Sequence, residues 1–261
     1  MKANYHTHTF RCHHATGTDE QYVRAAIDGE FEVLGFADHA PWPCKGELVA
    51  NNMMQMGELS GYLQSLHNLR SRYAGRIAIP VGLESEYFAH LHDSLLLMRD
   101  MGVSYFILGQ HYVDYHGKMP YTGEDGATDD GVLRYADAVV RGIRTGLYTY
   151  VAHPDLFMLR RRETEFSGAC AEAADMICQA AKEQGMPLEY NISALKNKPV
   201  DRGFPSTAFW THIQKHGCDA ILGVDAHDPI MLSDQNYWNN GMEKICSLGY
   251  RPLAGLASIH P

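Results

Sequence analysis

The chain alternates short apolar segments with longer segments of helical period, and this alternation constrains its fold more than any other feature. The apolar segments are rich in β-branched and aromatic residues, and they lie around Tyr5 and at 33–37, 77–83, 105–109, 148–152, 188–192 and 220–224. The helical segments between them cover 19–28, a leucine-spaced stretch that ends before Gly75, 92–101, 132–144, 168–183, 207–216 and 233–247. The sequence therefore predicts seven strands, each followed by a helix.

The start of the first helix is marked by local chemistry. Thr18 is followed three residues later by Gln21, which is the spacing of a capping box, and apolar Val23 and Ile27 follow on one helical face. We therefore expect this helix to begin at Asp19.

Strands that alternate with helices of this length predict parallel strands joined by right-handed crossovers. An α/β fold with a closed or nearly closed (β/α) barrel fits this pattern best, and a doubly wound open sheet is the alternative. A length of 261 residues suits one such barrel, and no repeat, low-complexity tract or long linker divides the chain. Residues 1–261 are thus predicted to form a single domain.

Charge and terminal composition exclude several classes of partner. The formal net charge of −9 disfavours a general electrostatic attraction to nucleic acid. Bound divalent cations would still permit the binding of a small anionic substrate. The N-terminal residues contain no apolar signal segment, and no apolar run reaches membrane-spanning length. Six scattered cysteines lack zinc-finger or redox spacing and are expected to be reduced. These features predict a cytoplasmic protein that binds neither nucleic acid nor membrane.

Histidines and carboxylates occur at the C-terminal ends of the predicted strands. They are His6 and His8 in the first, Asp38 and His39 in the second, Glu84 in the third, His111 in the fourth, His153 in the fifth, and Asp225 and His227 in the seventh. In parallel barrels, the C-terminal strand ends form one face, and that face carries the active site. These side chains are therefore expected to converge.

The spacing within these groups favours metal binding. In an extended segment, residues i and i+2 point the same way, so His6 and His8 form one pair of potential ligands and Asp225 and His227 another. Imidazoles and carboxylates suit zinc, iron or manganese, and a carboxylate such as Glu84 can bridge two ions. The sequence therefore predicts a site for divalent metal ions.

As an ordered set, these motifs resemble the PHP (polymerase and histidinol phosphatase) superfamily, and the resemblance is strongest to its stand-alone histidinol-phosphate phosphatases. The motifs that carry it are YHTHT at 5–9 with Cys12, His14 and Ala15 after it, GFADHAP at 35–41, GLE at 82–84, AHPD at 152–155, EYN at 189–191 and GVDAH at 223–227. The resemblance covers nearly the whole chain.

The resemblance implies a distorted, TIM-like (β/α)7 barrel that holds two to three divalent ions (Zn, Fe or Mn). By motif position, the first ion would be held by His6, His8, Glu84 and Asp225. Glu84 would bridge to a second ion held by His111 and His153, and a third would be held by His14, His39 and His227. His13 is the alternative to His14, which we prefer because the alanine that follows it fits the motif.

The resemblance also implies how a phosphate ester would be cleaved. A hydroxide that bridges two ions would be the nucleophile, and the catalytic residues would be Asp225 and His227, with Asp225 able to protonate the leaving alkoxide. A phosphate-binding arginine would follow His153, where the chain has Arg160, Arg161 and Arg162. We take Arg160, with Lys196 as a second basic contact.

The function that the resemblance implies is metal-dependent hydrolysis of a small phosphate monoester, with L-histidinol phosphate as the first candidate. The products would be L-histidinol and phosphate, in histidine biosynthesis. One alternative keeps the metals but changes the substrate to a nucleotide, a cyclic phosphodiester or phosphotyrosine. The other is a non-enzymatic metal-binding module, which the complete ligand set disfavours. The sequence leaves the oligomeric state open.

Overall fold

A computed structural model describes residues 1–42, 52–114, 116, 118–197, 203–257 and 259, except for the side chains of residues 196 and 197. The strands in this part of the chain are β1 (Ala3–Asn4), β2 (Val33–Leu34), β3 (Phe36–His39), β4 (Val81–Ser85), β5 (Tyr105–Leu108), β6 (Tyr150–Val151), β7 (Leu188–Asn191) and β8 (Ala220–Gly223). Its α-helices are α1 (Asp19–Asp28), α2 (Leu59–Arg72), α3 (His92–Asp100), α4 (Thr122–Asp125), α5 (Asp129–Arg144), α6 (Gly168–Glu183), α7 (Thr207–Ile213), α8 (Ile230–Ser233) and α9 (Gln235–Ser247).

Strands β3 to β8 form a curled parallel sheet in which the spatial order follows the chain order. Each strand end is aligned with its neighbour, so that His39 lies opposite Glu84 and Asn191 lies opposite Gly223. The short strands β1 and β2 pair with each other, also in parallel. The predicted α/β fold with parallel strands is confirmed.

The segment that follows β1 contacts both ends of this sheet. The Ala37 amide donates to the Thr7 carbonyl at 2.9 Å on the β3 side. On the other side, the His8 amide donates to the Ala226 carbonyl at 2.9 Å, and the Ala226 amide donates to the His6 carbonyl at 3.2 Å. The two histidines of the first motif therefore lie between β3 and the loop after β8.

The predicted strand at 33–37 is divided into β2 and β3 at Gly35. The hydroxyl of Tyr105 lies 2.8 Å from the Tyr5 carbonyl and 2.9 Å from the Phe36 carbonyl, so its ring is inserted between the two backbones. A Cβ at Gly35 would lie 2.4 Å from this hydroxyl, which only glycine avoids. On both sides of this residue the chain stays hydrogen-bonded to its two neighbours, through Leu34 to Ala78 and through Ala37 to Thr7.

Two apolar cores lie on the two faces of the curled sheet. The inner core includes Tyr5, Tyr105, Ile107, Tyr150 and Ile221, and the larger outer core packs the helices against the sheet. All four residues of β5 are buried, as expected for a parallel strand that is covered on both faces. The inner core fills the space beneath the C-terminal strand ends.

Helix boundaries largely agree with the sequence predictions. Helix α1 begins at Asp19 with the predicted capping box between Thr18 and Gln21. The predicted helix at 233–247 begins two residues later as α9, because the Asp234 side chain accepts the amides of Asn236 and Tyr237 and caps it. The short helix α8 precedes it. The short helix α4 was not predicted from the sequence. None of the helices in the described residues is long and apolar enough to cross a bilayer.

The prediction that the cysteines are reduced was wrong for one pair. A disulfide joins Cys178 of α6 to Cys218, and their Cα atoms are 6.4 Å apart. The packing of α6 beside the start of β8 brings together two residues that are 40 positions apart, which their spacing in the sequence could not indicate. Cys12 and Cys170 are buried free thiols, Cys246 is an exposed one, and Cys44 lies outside the described residues.

Candidate metal centre

The strand-end histidines and carboxylates converge on one face, at the C-terminal end of the sheet. All nine predicted ligands take part: His6, His8, His14, His39, Glu84, His111, His153, Asp225 and His227. Ring centroids are 4.1 Å apart for His8 and His227, 4.4 Å for His8 and His39, and 4.8 Å for His111 and His153. The parallel topology brings these residues together because each follows or ends a strand.

Glu84, in β4, lies at the centre of the cluster and is buried. Its Oε1 is 2.7 Å from His153 Nε2 and 3.5 Å from His111 Nε2. Its Oε2 is 3.3 Å from His6 Nε2 and 3.2 Å from His39 Nδ1. The two oxygens therefore face different groups of histidines, which is the arrangement that a bridging carboxylate requires.

Asp225, in the loop after β8, faces the first pair of histidines. Its Oδ1 lies 3.1 Å from His8 Nε2 and 3.4 Å from His6 Nε2. Its backbone has a φ of 50°, and that of His153 has a φ of 31°, both in the left-handed region that non-glycine residues seldom adopt. Such backbone conformations are concentrated at functional sites.

His14, His39 and His227 form a second group at the rim of the cluster. Their ligand atoms lie within 4.8 Å of one another, and the Nε2 atoms of His14 and His227 are 2.9 Å apart. His14 Nδ1 lies 2.7 Å from the Cys12 carbonyl, which leaves Nε2 facing the group. It is thus His14, and not His13, that the fold places in this group.

Several buried polar atoms in the cluster have no hydrogen-bond partner in the described structure. They are His6 Nε2, both ring nitrogens of His8, Glu84 Oε2, His153 Nδ1 and Asp225 Oδ1. A buried polar atom without a partner costs free energy, so such a concentration of them indicates a missing ligand. Nitrogen and carboxylate oxygen donors in this arrangement fit divalent first-row metal ions.

Electrostatic interactions divide the cluster into charged and neutral parts. Burial lowers the pKa of His8, but the nearby carboxylates of Asp225 and Asp38 outweigh it and raise that pKa to about 9. Burial raises the pKa of Asp225, but the nearby charge of His6 holds it well below the usual range. Burial and the charge of His8 lower the pKa of His227 to about 3, so its neutral ring is available as a ligand.

Two further buried carboxylates, Asp38 and Glu86, hold histidines of the cluster in place. Asp38 accepts hydrogen bonds from the amide and the hydroxyl of Thr9, and its Oδ1 lies 3.5 Å from His8 Nδ1. Glu86 lies 3.2 Å from His111 Nδ1 and accepts a hydrogen bond from Trp42 Nε1 at 2.7 Å. Both carboxylates therefore contact ring nitrogens from behind the cluster.

Cys12 is completely buried near the same rings. Its Sγ lies within 4.8 Å of ring nitrogens of His8 and His227. Burial raises the pKa of this thiol to about 12, so it remains protonated and packs as a small apolar side chain.

Sequence reasoning gave no role to Glu189, although this residue belongs to one of the motifs. It lies in β7, is fully buried, and accepts a hydrogen bond from His6 Nδ1 at 2.8 Å. The i, i+2 spacing of Glu189 and Asn191 at a strand end was the signal that could have identified it.

A cavity of about 840 Å³ opens onto the cluster. Its lining includes His14, His39, Glu84, His111, His153, Asp225 and His227, together with Asn52, Met53, Tyr112, Tyr121, Glu124, Leu156, Leu159, Ser193, Ala194 and Phe204. The cavity thus joins a cluster of potential ligands to an aromatic and apolar wall.

Comparison with known proteins identifies the family. The family model for the PHP domain matches residues 4–193. The chain belongs to the PHP domain family. Seven of the nine predicted ligands lie within the matched residues, and Asp225 and His227 lie beyond them.

Two curated proteins resemble this PHP domain along most of their length. A protein of Deinococcus radiodurans named probable histidinol-phosphatase is 29% identical over 232 residues, which cover 86% of this chain and 85% of the relative. The histidinol-phosphatase of Bacillus subtilis is 24% identical over 251 residues, which cover 87% of this chain and 94% of the relative.

Two solved structures share the fold of this PHP domain. HisK of Listeria monocytogenes superposes with a TM-score of 0.74 at 20% identity, covering 91% of this chain and 99% of that one. The histidinol phosphate phosphatase of Lactococcus lactis, solved with zinc, L-histidinol and phosphate, superposes with a TM-score of 0.71 at 17% identity. That match covers 100% of this chain and 99% of the other.

The three arginines after His153 differ in their surroundings. Arg161 is buried and donates to the Gly126 carbonyl at 2.6 Å, the Glu165 carbonyl at 3.0 Å and Asp129 Oδ1 at 2.7 Å. Arg160 is exposed next to the cavity-lining Leu159. The side chain of Arg161 thus holds its loop against neighbouring segments.

Arg162 and Lys196 are the other two basic residues that the sequence brought forward. The Arg162 amide donates to Glu165 Oε2 at 2.7 Å, and its side chain is exposed. Lys196 belongs to the 3-10 turn Ser193–Asn197, but its side chain lies outside the described part of the structure.

Proposed function

We propose that this PHP domain is a metal-dependent phosphatase that hydrolyses L-histidinol phosphate to L-histidinol and phosphate. The observation that carries the proposal is the group of buried, unpartnered donor atoms at one end of the 840 Å³ cavity. The two curated relatives, whose names state a histidinol-phosphatase activity, support the choice of substrate.

Two to three divalent ions (Zn, Fe or Mn) would be held by the three groups of ligands. His6, His8, Glu84 and Asp225 would hold the first, Glu84, His111 and His153 the second, and His14, His39 and His227 the third. When bound, such ions lower the pKa of water and neutralise phosphoryl charge. The support for Glu84 as the shared ligand is that its two oxygens face different histidines.

The catalytic roles proposed for Asp225 and His227 rest on their position. Both line the cavity, so they can reach the ester oxygen of a phosphate seated beside the cluster. Asp225, whose low pKa leaves it deprotonated at rest, is proposed to take a proton from the attacking water and deliver it to the leaving alkoxide.

Phosphate recognition is assigned to Arg160, with Lys196 as a second contact. The Arg160 guanidinium lies 3.8 Å from Glu124 Oε1, and Glu124 lines the cavity. Ser193 and Ala194, from the same turn as Lys196, also line it. An arginine fork at this rim can bind two phosphoryl oxygens at once.

The remaining cavity wall suits the organic part of this substrate. Tyr112, Tyr121 and Phe204 offer aromatic surface for an imidazole ring, and Glu124 offers a carboxylate for an ammonium group. Histidinol phosphate carries both groups beside its phosphate.

We also propose that residues 1–261 form one distorted (β/α)7 barrel. The seven barrel strands would be the segment at 5–8, the divided strand β2–β3, and β4 to β8. The support is that the segment at 5–8 hydrogen-bonds both to Ala37 and to Ala226.

A substrate panel with metal-reconstituted enzyme tests the proposed function. We expect kcat/KM for L-histidinol phosphate to exceed that for p-nitrophenyl phosphate, AMP, a cyclic dinucleotide and phosphotyrosine. Turnover is measured as released phosphate for the monoesters and as ring-opened product for the cyclic dinucleotide. Equal or better turnover of a nucleotide or cyclic ester would contradict the substrate but not the metal chemistry. Full metal occupancy without hydrolysis of any ester would favour a non-enzymatic metal-binding module.

A further inference from the structure

One buried carboxylate outside the proposed ligand set contacts several strands at once. Glu189 Oε1 accepts from His6 Nδ1 at 2.8 Å and lies 3.5 Å from the Tyr150 hydroxyl. Its Oε2 accepts from the His153 amide at 3.1 Å and from Asn191 Nδ2 at 3.0 Å. Four donors therefore face two oxygens.

This arrangement is specific for a carboxylate. A carboxylate has only acceptors, so both oxygens of Glu189 are satisfied, whereas a glutamine would present an NH2 group to at least one pair of donors. Buried donors that lose their acceptor are costly, so the neighbours of Glu189 would have to move in response.

The contact with His6 determines which ring nitrogen faces the cluster. Because His6 Nδ1 donates to Glu189, the lone pair of the neutral ring is on Nε2. That Nε2 is buried without a partner and lies 3.3 Å from Glu84 Oε2 and 3.4 Å from Asp225 Oδ1. Glu189 thus sets both the tautomer and the direction of this ring.

Two further contacts extend from Glu189 to other parts of the centre. Its Oε2 holds the backbone amide of His153, whose left-handed φ of 31° needs support from its surroundings. Asn191 Nδ2 lies between Glu189 Oε2 and Asp225 Oδ2, at 3.0 and 3.1 Å. The Asn191 amide cannot flip, because its Oδ1 accepts the amide and hydroxyl of Ser193.

A glycine on the adjacent strand makes space for this carboxylate. A Cβ added at Gly223 would lie 1.8 Å from Glu189 Oε1 and 2.3 Å from its Cδ. Any side chain at position 223 would therefore displace Glu189 without changing its chemistry.

We propose that Glu189 is a positioning residue for the metal centre, which aligns His6 directly, His153 through its amide and Asp225 through Asn191. This inference rests on the proposed function only in so far as the nine residues hold metal. Residues that orient metal ligands from behind typically contribute ten- to a hundredfold to metal affinity.

The test is a titration of metal-free protein with Zn²⁺ against a competing chelator, with folding checked by circular dichroism. Glu189→Gln is expected to raise the dissociation constant for Zn²⁺ by about ten- to a hundredfold. Gly223→Ala, which leaves Glu189 in the sequence but displaces it, is expected to show a loss of the same order.

Two matched controls separate positioning from general damage. Glu163 accepts the Thr207 and Ala208 amides at the start of α7, away from the cluster, so Glu163→Gln should leave the Zn²⁺ affinity unchanged. An added Cβ at Gly168 meets no atom within 4 Å, so Gly168→Ala should also match wild type.

The outcomes distinguish the two proposals. Wild-type Zn²⁺ affinity in folded Glu189→Gln and Gly223→Ala would overturn the positioning role and leave the proposed phosphatase intact. Equal losses in Glu163→Gln would also overturn it, because the loss of a hydrogen-bonded carboxylate outside the cluster would then suffice. If wild-type protein bound no Zn²⁺, both proposals would fail. Metal binding with no turnover of histidinol phosphate would contradict only the proposed substrate.

Discussion

The adjacent arginines Arg160 and Arg161 should give opposite results when each is replaced by alanine. Arg161 makes three hydrogen bonds from a buried position, to two carbonyls and to Asp129. Arg160 has its side chain 51% exposed, with Glu124 3.8 Å away. One arginine therefore stabilises the fold, and the other is available for a ligand.

The magnitudes follow from these contacts. Arg161→Ala leaves the carbonyls of Gly126 and Glu165 without a donor, and an unsatisfied buried group costs about 1–3 kcal/mol. A total loss of about 2–4 kcal/mol corresponds to a fall in Tm of roughly 5–15 °C for a chain of this size. Arg160→Ala removes only an exposed ion pair, worth about 0–1 kcal/mol of stability. Its effect on catalysis should be larger, because a lost charged hydrogen bond to phosphate costs about 1.5–3 kcal/mol, or roughly ten- to a hundredfold in kcat/KM.

Thermal denaturation and steady-state kinetics of both variants test this reasoning, with metal content measured in each. We expect Arg160→Ala to have the wild-type Tm and a lower kcat/KM. Arg161→Ala should have a lower Tm and the wild-type kcat/KM per folded, metal-loaded molecule. Arg162→Ala should change neither by much. Wild-type kcat/KM in Arg160→Ala would refute the phosphate contact, and an unchanged Tm in Arg161→Ala would refute its structural role.

Four further predictions concern the metal centre. Elemental analysis should find two to three equivalents of Zn, Fe or Mn. Chelation should abolish phosphatase activity and added metal should restore it, so an active, metal-free preparation would contradict this prediction. Glu84→Ala and Asp225→Asn should each lose nearly all turnover, because no nearby residue can replace a ligand at the centre of the cluster, while His212→Ala on α7 should be almost silent. Gly109→Ala would place a Cβ 2.0 Å from Glu84 Oε1, so overpacking should cost about 1–3 kcal/mol and lower the metal content; full occupancy in this variant would argue against the position of Glu84. The pKa of His8 rises from 6.5 to about 9 on folding. The stability that this histidine contributes to metal-free protein is therefore present below pH 6.5 and is lost as the pH rises through about 9. The Tm of metal-free protein should fall over that interval, and added Zn²⁺ should abolish the decline.

Much of the fold and of the site could be predicted from the sequence, for a local reason. The alternation of apolar strand segments with helical segments reflects burial on a parallel sheet, and the Thr18 and Gln21 capping box specifies a helix start within four residues. The C-terminal ends of parallel strands share one face, so residues such as Glu84 and His153 could be placed near each other although they are 69 positions apart. The family motifs then indicated His14 at the rim, where the fold places it.

Other features depended on contacts that the sequence does not encode locally. The need for glycine at position 35 follows from the Tyr105 hydroxyl that lies against it, and the Cys178–Cys218 pair follows from the packing of α6 beside β8. The difference between Arg160 and Arg161 arises because only the second side chain reaches the Gly126 carbonyl.

Glu189 illustrates the same division most clearly. Its alternation with Asn191 along one strand is visible in the sequence, but its partners His6 and His153 follow other strands, 183 and 36 residues away. The sequence by itself determined which residues follow the strands and therefore which side chains can reach the centre. Only the tertiary structure decided which carboxylates point into the cluster as potential ligands and which hold histidines from behind. That choice depends on side-chain direction and on the space that neighbouring glycines leave.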